Sequence, residues 1–228
     1  MARRAKRVER PLPAPLTPAE RTVGQLVAES IKLYGRHFLR AVPLGLVVAG
    51  INQLTIDVSR LTVGAVLLAA APVFSAAYAY ACQLGAERPP GRSWVIAIAA
   101  GSLVFVPAAL LFPWFALAAV LWLGLVGLAV PVAMREGTSF TGSLRGGLAL
   151  GRVDYIHAAG ALATLVILFF LMRIGLALLL ESQADNTVRG AIFLSDAVLA
   201  PLLFLGGAIL YDDQRARLER RRMTAAPR

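Results

Sequence analysis

Two ionisable residues inside long apolar stretches are the side chains best placed to do chemistry. Arg173 lies within the apolar run 156–180, and Asp196 lies within the run 191–211. An unpaired charge at the centre of a bilayer costs about 2.5–3.5 kcal/mol, so such residues pair with each other or line a polar route. At 1.5 Å per residue, Arg173 lies about 27 Å from the start of its run. Asp196 lies a turn or two after the start of the next run. We therefore expect the two at similar depth.

Two interpretations of this pair stay open at the level of sequence. In one, Arg173 and Asp196 line a ligand site or a polar pathway through the membrane. In the other, they form a structural salt bridge, or Arg173 extends to the headgroups by itself.

The remaining reactive residue types form no recognisable site. His37 and His157 are the only histidines and Cys82 is the only cysteine. A metal site needs several converging ligands, and neither histidine belongs to an H-E-x-x-H pattern. Phosphate-binding loops and serine elbows are absent from the sequence. We therefore predict no catalytic residue, no cofactor, no metal and no enzymatic activity. An intramembrane enzyme built on the Arg173/Asp196 pair and the histidines is a third alternative.

Charged residues that border the apolar runs form a second set of candidates. In the last segment, Asp213–Arg217 and Arg215–Glu219 have the i, i+4 spacing of helical ion pairs. One interpretation is a solvated, self-paired helix. The other is docking of this segment against Arg145, against Glu136 or against the first surface helix. The candidate docking and lipid-contact residues are Arg145, Arg152, Asp213, Arg215, Arg217 and Glu219.

Composition favours a membrane protein. Of the 228 residues 58% are apolar, against about 45–50% in soluble domains. The mean hydropathy is +0.69. The apolar residues fall in blocks of about 20, the length that crosses a bilayer. The formal net charge is +10, but the basic residues border apolar runs, so we expect anionic lipid headgroups rather than nucleic acid as partners. The excess of Arg, Ala and Gly indicates a GC-rich bacterial genome.

These blocks predict an all-α integral membrane protein with six transmembrane helices. The predicted spans are 38–56, 61–82, 94–112, 114–134, 156–180 and 191–211. Two amphipathic interfacial helices accompany them. The first is predicted to begin at Thr17, with Pro18 at its first position and Glu20 closing a capping box; its apolar stripe is Val23, Val27, Ile31, Tyr34 and Phe38. The second lies within 131–155, and its apolar stripe is Phe140, Leu144 and Leu148.

The positive-inside rule orients this arrangement. With six spans, one side receives only Arg60, Arg173 and Arg189 of the 23 basic residues. Both termini are therefore expected in the cytoplasm, in a multi-pass protein of the cell membrane. The predicted organisation is a disordered basic, Pro-rich tail (1–16), a six-helix membrane domain (17–214) and a basic cytoplasmic tail (215–228).

A short repeat accompanies two of the spans. Leu33-Tyr34-Gly35-Arg36 precedes the first span, and Ala149-Leu150-Gly151-Arg152 precedes the fifth. The shared layout favours an internal duplication, and chance similarity is the alternative.

Two motifs carry a resemblance to a known family. The first is Pro131, Glu136, Ser143-Leu144-Arg145 and a Gly-Arg pair before an apolar span; the second is Tyr211-x-Asp213-x-Arg215-x-Arg217-x-Glu219. Over about residues 20–220 the chain resembles the prokaryotic membrane-domain superfamily that includes the membrane domain of some glycerophosphoryl diester phosphodiesterases. It departs from the family pattern at Gly146-Gly147, which costs a helix about 1 kcal/mol per Gly.

The resemblance implies membrane residence and not catalysis. The family's catalytic domain would be a separate soluble barrel, and no part of this chain could form one. The sequence favours a protein that scaffolds a partner, interacts with lipid or forms a homo-oligomer. The alternative is a small transporter or channel subunit with a polar site at Arg173 and Asp196.

Overall fold

The computed structural model describes residues 17–86 and 94–225. Within these ranges the regular secondary structure is entirely helical, with no β-strand, and the all-α prediction is confirmed. The helices are α1 (Val23–Arg36), α2 (Phe38–Gln53), α3 (Arg60–Leu84), α4 (Trp94–Leu111), α5 (Ala116–Val126), α6 (Ala129–Glu136), α7 (Phe140–Gly151), α8 (Tyr155–Leu179), α9 (Asp185–Leu199) and α10 (Pro201–Ala225). The predicted tail 1–16 and the last three residues of the predicted tail 215–228 lie outside the described residues.

Five helical segments of the described chain are long and apolar enough to span a membrane. They are Arg60–Leu84, Trp94–Leu111, Ala116–Glu136, Tyr155–Leu179 and Asp185–Ala225. They correspond to the second through sixth predicted spans. The first predicted span, 38–56, is represented by α2, an apolar helix of 16 residues.

The first helix begins later than predicted. Residues Pro18–Glu20 form only a short 3-10 turn, and Thr17 makes no side-chain cap. Thr22 caps α1 instead: its hydroxyl accepts from the Gln25 backbone, and the Gln25 side chain accepts from the Thr22 N–H at 2.9 Å. Thr22-x-x-Gln25 satisfies two backbone donors reciprocally. The prediction of a helix start at Thr17 is wrong because a second, complete capping box follows it.

Two of the predicted spans are interrupted. The run 114–134 is divided into α5 and α6 at Gly127, and the last run is divided into α9 and α10 between Ala200 and Pro201. Pro201 lacks a backbone N–H and its ring favours the first position of a helix, so α10 starts there. Helix α9 begins at Asp185, six residues before the predicted span 191–211.

Neither of the two helices predicted to be interfacial buries the whole of its predicted apolar stripe. In α1 the buried residues are Leu26, Ser30, Leu33 and Tyr34. Ile31 of the predicted stripe is 51% exposed. In α7 the buried residues are Ser143, Gly147, Leu150 and Gly151, whereas Phe140 is 38% exposed.

Glycine explains the buried face of α7. A Cβ on Gly147 would overlap the backbone of Ala129, and one on Gly151 would overlap the carbonyl of Leu125. The backbone of α7 therefore lies directly against α5 and α6. The Gly146-Gly147 pair, which costs intrinsic helix stability, permits this close approach.

Charged and polar side chains gather at two opposite ends of the helix bundle. The basic end is defined by Arg21, Arg135, Asp154, Asp213 and Arg217. The distal end is defined by Asn52, Asp57, Arg173, Arg189 and Asp196. The side chains that pack between these ends are mostly apolar.

Candidate functional site

The distal end brings the predicted intramembrane pair together. Nε of Arg173 on α8 lies 3.4 Å from Oδ1 of Asp196 on α9. Asp196 is fully buried, and Arg173 is 23% exposed at its side chain. Sequence reasoning missed a third member: Nδ2 of Asn52 on α2 donates to Oδ2 of Asp196 at 2.8 Å. The only signal for Asn52 was a polar amide near the end of an apolar run.

A close contact between α2 and α9 positions Asn52. A Cβ on Gly45 would overlap the backbone of Ala197, so the two helices meet without intervening side chains. Asn52 follows Gly45 by seven residues, two helical turns, and so lies on the same face of α2. Nearer the end, Gln53 donates to the Arg189 carbonyl at 3.3 Å. Arg189 also pairs with Asp57 in the turn after α2.

The hydrogen-bonding capacity of this pair is only partly used. The Arg173–Asp196 contact is an ion pair, and Oδ1 of Asp196 accepts no hydrogen bond from a described residue. The Arg173 guanidinium lies over the Phe169 ring at 5.7 Å from its centroid. A guanidinium carries five N–H donors. In the described part of the chain none of the five has a hydrogen-bond acceptor, so Arg173 retains donors for a further group.

A cavity of about 340 Å³ opens beside Arg173. Side chains of α2, α3, α4, α5, α8 and α10 line it, and most of them are apolar, including Phe74, Phe105 and Val166. Its polar lining gathers at the distal end, where Asn52, Thr55 and Arg173 lie; Tyr78, which belongs to the opposite part of the bundle, is the other polar member. Ligand pockets in proteins measure about 300–1,000 Å³ and combine apolar walls with a few polar groups.

The cavity has the length of one acyl layer of a membrane. Its α8 wall runs from Leu162 to Arg173, about 16 Å at 1.5 Å per residue. The hydrocarbon core of a bilayer is about 30 Å thick, so each leaflet contributes about half of it. The arrangement can therefore accept one extended alkyl chain with its polar end at Arg173.

The basic end is built around a buried carboxylate of α10. Asp213 is fully buried, pairs with Arg21 and lies 3.7 Å from Nε2 of His157. The predicted Asp213–Arg217 pair does not form. Arg217 instead bonds Asp154 at the start of α8, and its Nη2 donates to the Arg21 carbonyl at 2.8 Å.

Polar and aromatic neighbours complete this network. Gln214, also fully buried, accepts from the Asp154 N–H at 3.1 Å and donates to the Asp154 carbonyl at 2.9 Å. Arg135 pairs with Asp212 and lies over the Tyr211 ring. Helix α10 is thereby bonded to the segment just before α1, to α6 and to the start of α8.

The predicted docking residues divide into two groups. Glu136 accepts from the Tyr211 hydroxyl and from Nη1 of Arg215, both at 2.9 Å, and Arg215 pairs with Glu219 at 3.2 Å. The α10 segment thus contacts Glu136, one of the surfaces expected for docking. Arg145 on α7 and Arg152, which directly follows α7, are exposed, and neither side chain makes a hydrogen bond or an ion pair within the described ranges.

Neither end of the bundle assembles a metal site. No group of three His, Cys, Asp or Glu side chains in residues 17–86 and 94–225 could hold a metal ion. His37 lies between α1 and α2, and His157 lies in the first turn of α8 beside Asp213.

Comparisons with known proteins give no relative from which a function for this site could be inferred. No protein-family model, no curated protein and no solved structure matches the chain. The resemblance to the prokaryotic membrane-domain superfamily therefore stays a prediction.

Proposed function

We propose that the protein is a multi-pass protein of the cell membrane with six spans, namely α2, α3, α4, α5–α6, α8 and α9–α10. Five segments have the length and hydropathy of spans. Helix α2 has 16 residues, about 24 Å, which local thinning of the bilayer accommodates. We place the basic end and both termini in the cytoplasm, because arginines concentrate there. Helices α1 and α7 lie at that interface.

Reporter fusions test this orientation. A cytoplasm-specific fluorescent reporter on either terminus should be active in full-length fusion protein. A reporter that is dark on one terminus while the fusion is intact would contradict an even number of spans.

We infer that the protein acts by binding a lipid chain inside the bundle rather than by catalysing a reaction. The observation that carries this inference is the largely apolar cavity of about 340 Å³, with three of its four polar lining residues, Asn52, Thr55 and Arg173, at one end. Lipid chains are the apolar molecules present at high concentration around a membrane protein. A chain in the cavity would contact Phe105 and Val166, which belong to different helices.

Photolabelling tests cavity binding. The full chain in detergent would be irradiated with a diazirine analogue of hexadecanol, a neutral alkyl probe, and the labelled peptides mapped. We expect labels on the cavity walls and a loss of about tenfold or more in Ala109→Phe, because Ala109 lines the cavity and the larger ring fills it.

Ala69→Phe is the matched control, since Ala69 is exposed on α3. We expect the cavity walls of this variant to be labelled as strongly as those of the unchanged protein. Labels spread evenly over the outer surface, with no effect of Ala109→Phe, would overturn the proposal.

One observation favours transport as a second candidate function. Both interrupted spans border the cavity, which is lined by Gly127 at the α5–α6 break and by Leu203 just after the α9–α10 break. Transporters place their binding sites at discontinuous helices. Proteoliposomes that move the alkyl probe between leaflets faster than empty vesicles would support transport, and equal rates would exclude it.

A further inference from the structure

We propose that Arg173 binds the carboxylate of a long-chain carboxylic acid whose alkyl chain occupies the cavity. This inference rests on the proposed lipid binding and specifies its chemistry. Arg173 lines the cavity at its distal end, beside Asn52 and Thr55. A ligand with a charged head and one apolar chain matches that division between polar and apolar lining.

The state of Arg173 argues for an additional acceptor. Its guanidinium contacts Asp196 through Nε at 3.4 Å and has one face against the Phe169 ring. The edge that carries the two Nη groups has no acceptor within the described ranges. Carboxylates bind this edge with two parallel hydrogen bonds, and charge-assisted bonds of this kind are the strongest in proteins.

Asp196 and Asn52 act as positioning residues for this site. Asn52 donates to Oδ2 of Asp196 at 2.8 Å, so the carboxylate has a partner besides Arg173. Asp196 is fully buried and is absent from the cavity lining. It therefore orients the guanidinium from behind and leaves the cavity side of Arg173 to the ligand.

The size of the cavity favours one chain over two. Its α8 wall, from Leu162 to Arg173, spans about 16 Å, the depth of a single leaflet. A planar carboxylate also needs less room than a phosphodiester beside Phe169 and Asn52. We therefore assign a free fatty acid, rather than a two-chain phospholipid, as the occupant.

A pair of matched photoprobes tests the assignment. The purified full chain would be labelled with diazirine analogues of palmitic acid and of hexadecanol, which differ only in the head. We expect the acid to label the cavity walls more strongly than the alcohol in the unchanged protein. In Arg173→Gln the acid label should fall about tenfold or more, the loss expected for a charge-assisted hydrogen bond, while the alcohol label stays.

Further variants and a competitor complete the experiment. Arg173→Lys keeps the positive charge but lacks the two Nη groups that bind a carboxylate in parallel. Its labelling by the acid should lie between that of the unchanged protein and that of Arg173→Gln. Arg189→Gln is the control, since Arg189 belongs to the distal end but does not line the cavity. Unlabelled palmitate should displace the acid probe. Displacement by phosphatidylglycerol vesicles but not by palmitate would overturn the fatty-acid assignment.

The outcomes separate this inference from the proposed function. Equal labelling of the cavity by acid and alcohol in the unchanged protein would overturn the role of Arg173 and leave lipid-chain binding intact. This arm requires no substitution, so it holds even if Arg173→Gln fails to fold. An absence of cavity labels with both probes would overturn the proposed function itself.

Discussion

The two ends of the bundle each contain a fully buried aspartate, but they surround it differently. At the basic end, Asp213 pairs with Arg21 and faces His157, and Gln214 beside it makes two further bonds. At the distal end, the Asp196 carboxylate accepts one hydrogen bond from the described part of the chain, that of Asn52, and forms an ion pair of 3.4 Å with Arg173. Asp213 belongs to a continuous network, whereas Asp196 belongs to a short chain of three side chains beside a cavity.

This difference separates groups that hold the fold from groups that remain for a ligand. A buried charge is tolerated when partners satisfy it, and removal of one partner leaves the other uncompensated. Nη1 of Arg21 and both Nη groups of Arg217 bind distant segments of the chain, although Nε of Arg217 has no partner in the described ranges. Arg173 lines the cavity, and its guanidinium N–H groups have no hydrogen-bond acceptor in the described ranges. We therefore expect substitutions at the basic end to act mainly on stability, and substitutions at Arg173 mainly on binding.

The largest effect is expected at the basic end, from Asp213→Ala. The substitution leaves Arg21 and His157 without their buried partner, which should lower the free energy of unfolding by about 3–5 kcal/mol. Denaturant titration in mixed micelles measures it. Glu219→Ala on the same helix is the control: Glu219 is 58% exposed at its side chain, so the loss should be at most about 1 kcal/mol. Equal losses in the two variants would show that the network does not hold the fold.

A close helix contact near the distal end should give the next largest effect. In Gly45→Ala the new methyl group overlaps the backbone of Ala197, so α2 and α9 must separate, at a cost of about 1–3 kcal/mol. Gly50→Ala in the same helix meets no atom within 4 Å and should stabilise by about 0.5–1 kcal/mol. Thermal unfolding of the two variants in detergent compares them, and a loss at Gly50 as large as that at Gly45 would refute the close contact.

A double-mutant cycle measures the distal pair itself. Arg173→Ala and Asp196→Ala should be non-additive in the free energy of unfolding by about 1 kcal/mol, the size of polar couplings between membrane helices. The double variant should be little worse than Asp196→Ala, because removing both partners leaves no unpaired charge. Strict additivity would mean that the residues do not interact.

The smallest effect is expected from Tyr211→Phe at the basic end. The change removes the hydroxyl that donates to Glu136 at 2.9 Å but keeps the ring under Arg135. Because Arg215 still binds Glu136, we expect a loss of only about 0.5–1 kcal/mol. A loss comparable to that of Asp213→Ala would show that Glu136, and not Asp213, is the centre of the network.

Hydropathy and helical rise sufficed to predict much of this architecture. The apolar runs locate the five helical segments that are long and apolar enough to span a membrane, because each run must be about as long as the hydrocarbon is thick. The same arithmetic places Arg173 and Asp196 at one depth, and the structure has them 3.4 Å apart. Asn52 could not be assigned to this cluster, since the meeting of α2 with α9 depends on Gly45 lying against Ala197, a tertiary contact.

Other features depend on contacts that local patterns do not encode. The charged segment after Tyr211 has the composition of a solvated helix, yet Asp213 and Gln214 are fully buried, because their partners come from distant parts of the chain. The Gly146-Gly147 pair has a low intrinsic helix propensity, but its packing against α6 is invisible in the sequence. The cavity arises where side chains from six helices fail to meet, and no single segment predicts such a gap.

The attachment of α8 sets the direction in which the cavity can widen. Asp154, just before α8, is fixed by Arg217 and Gln214. Toward its other end, the only polar contact of the helix with a neighbouring helix among the described residues is through Arg173, and its outward residues Leu171 and Leu178 are 60% and 66% exposed. A helix that is fixed near one end moves most at its other end. The cavity would therefore open most widely at Arg173, and an entering ligand would contact the guanidinium first.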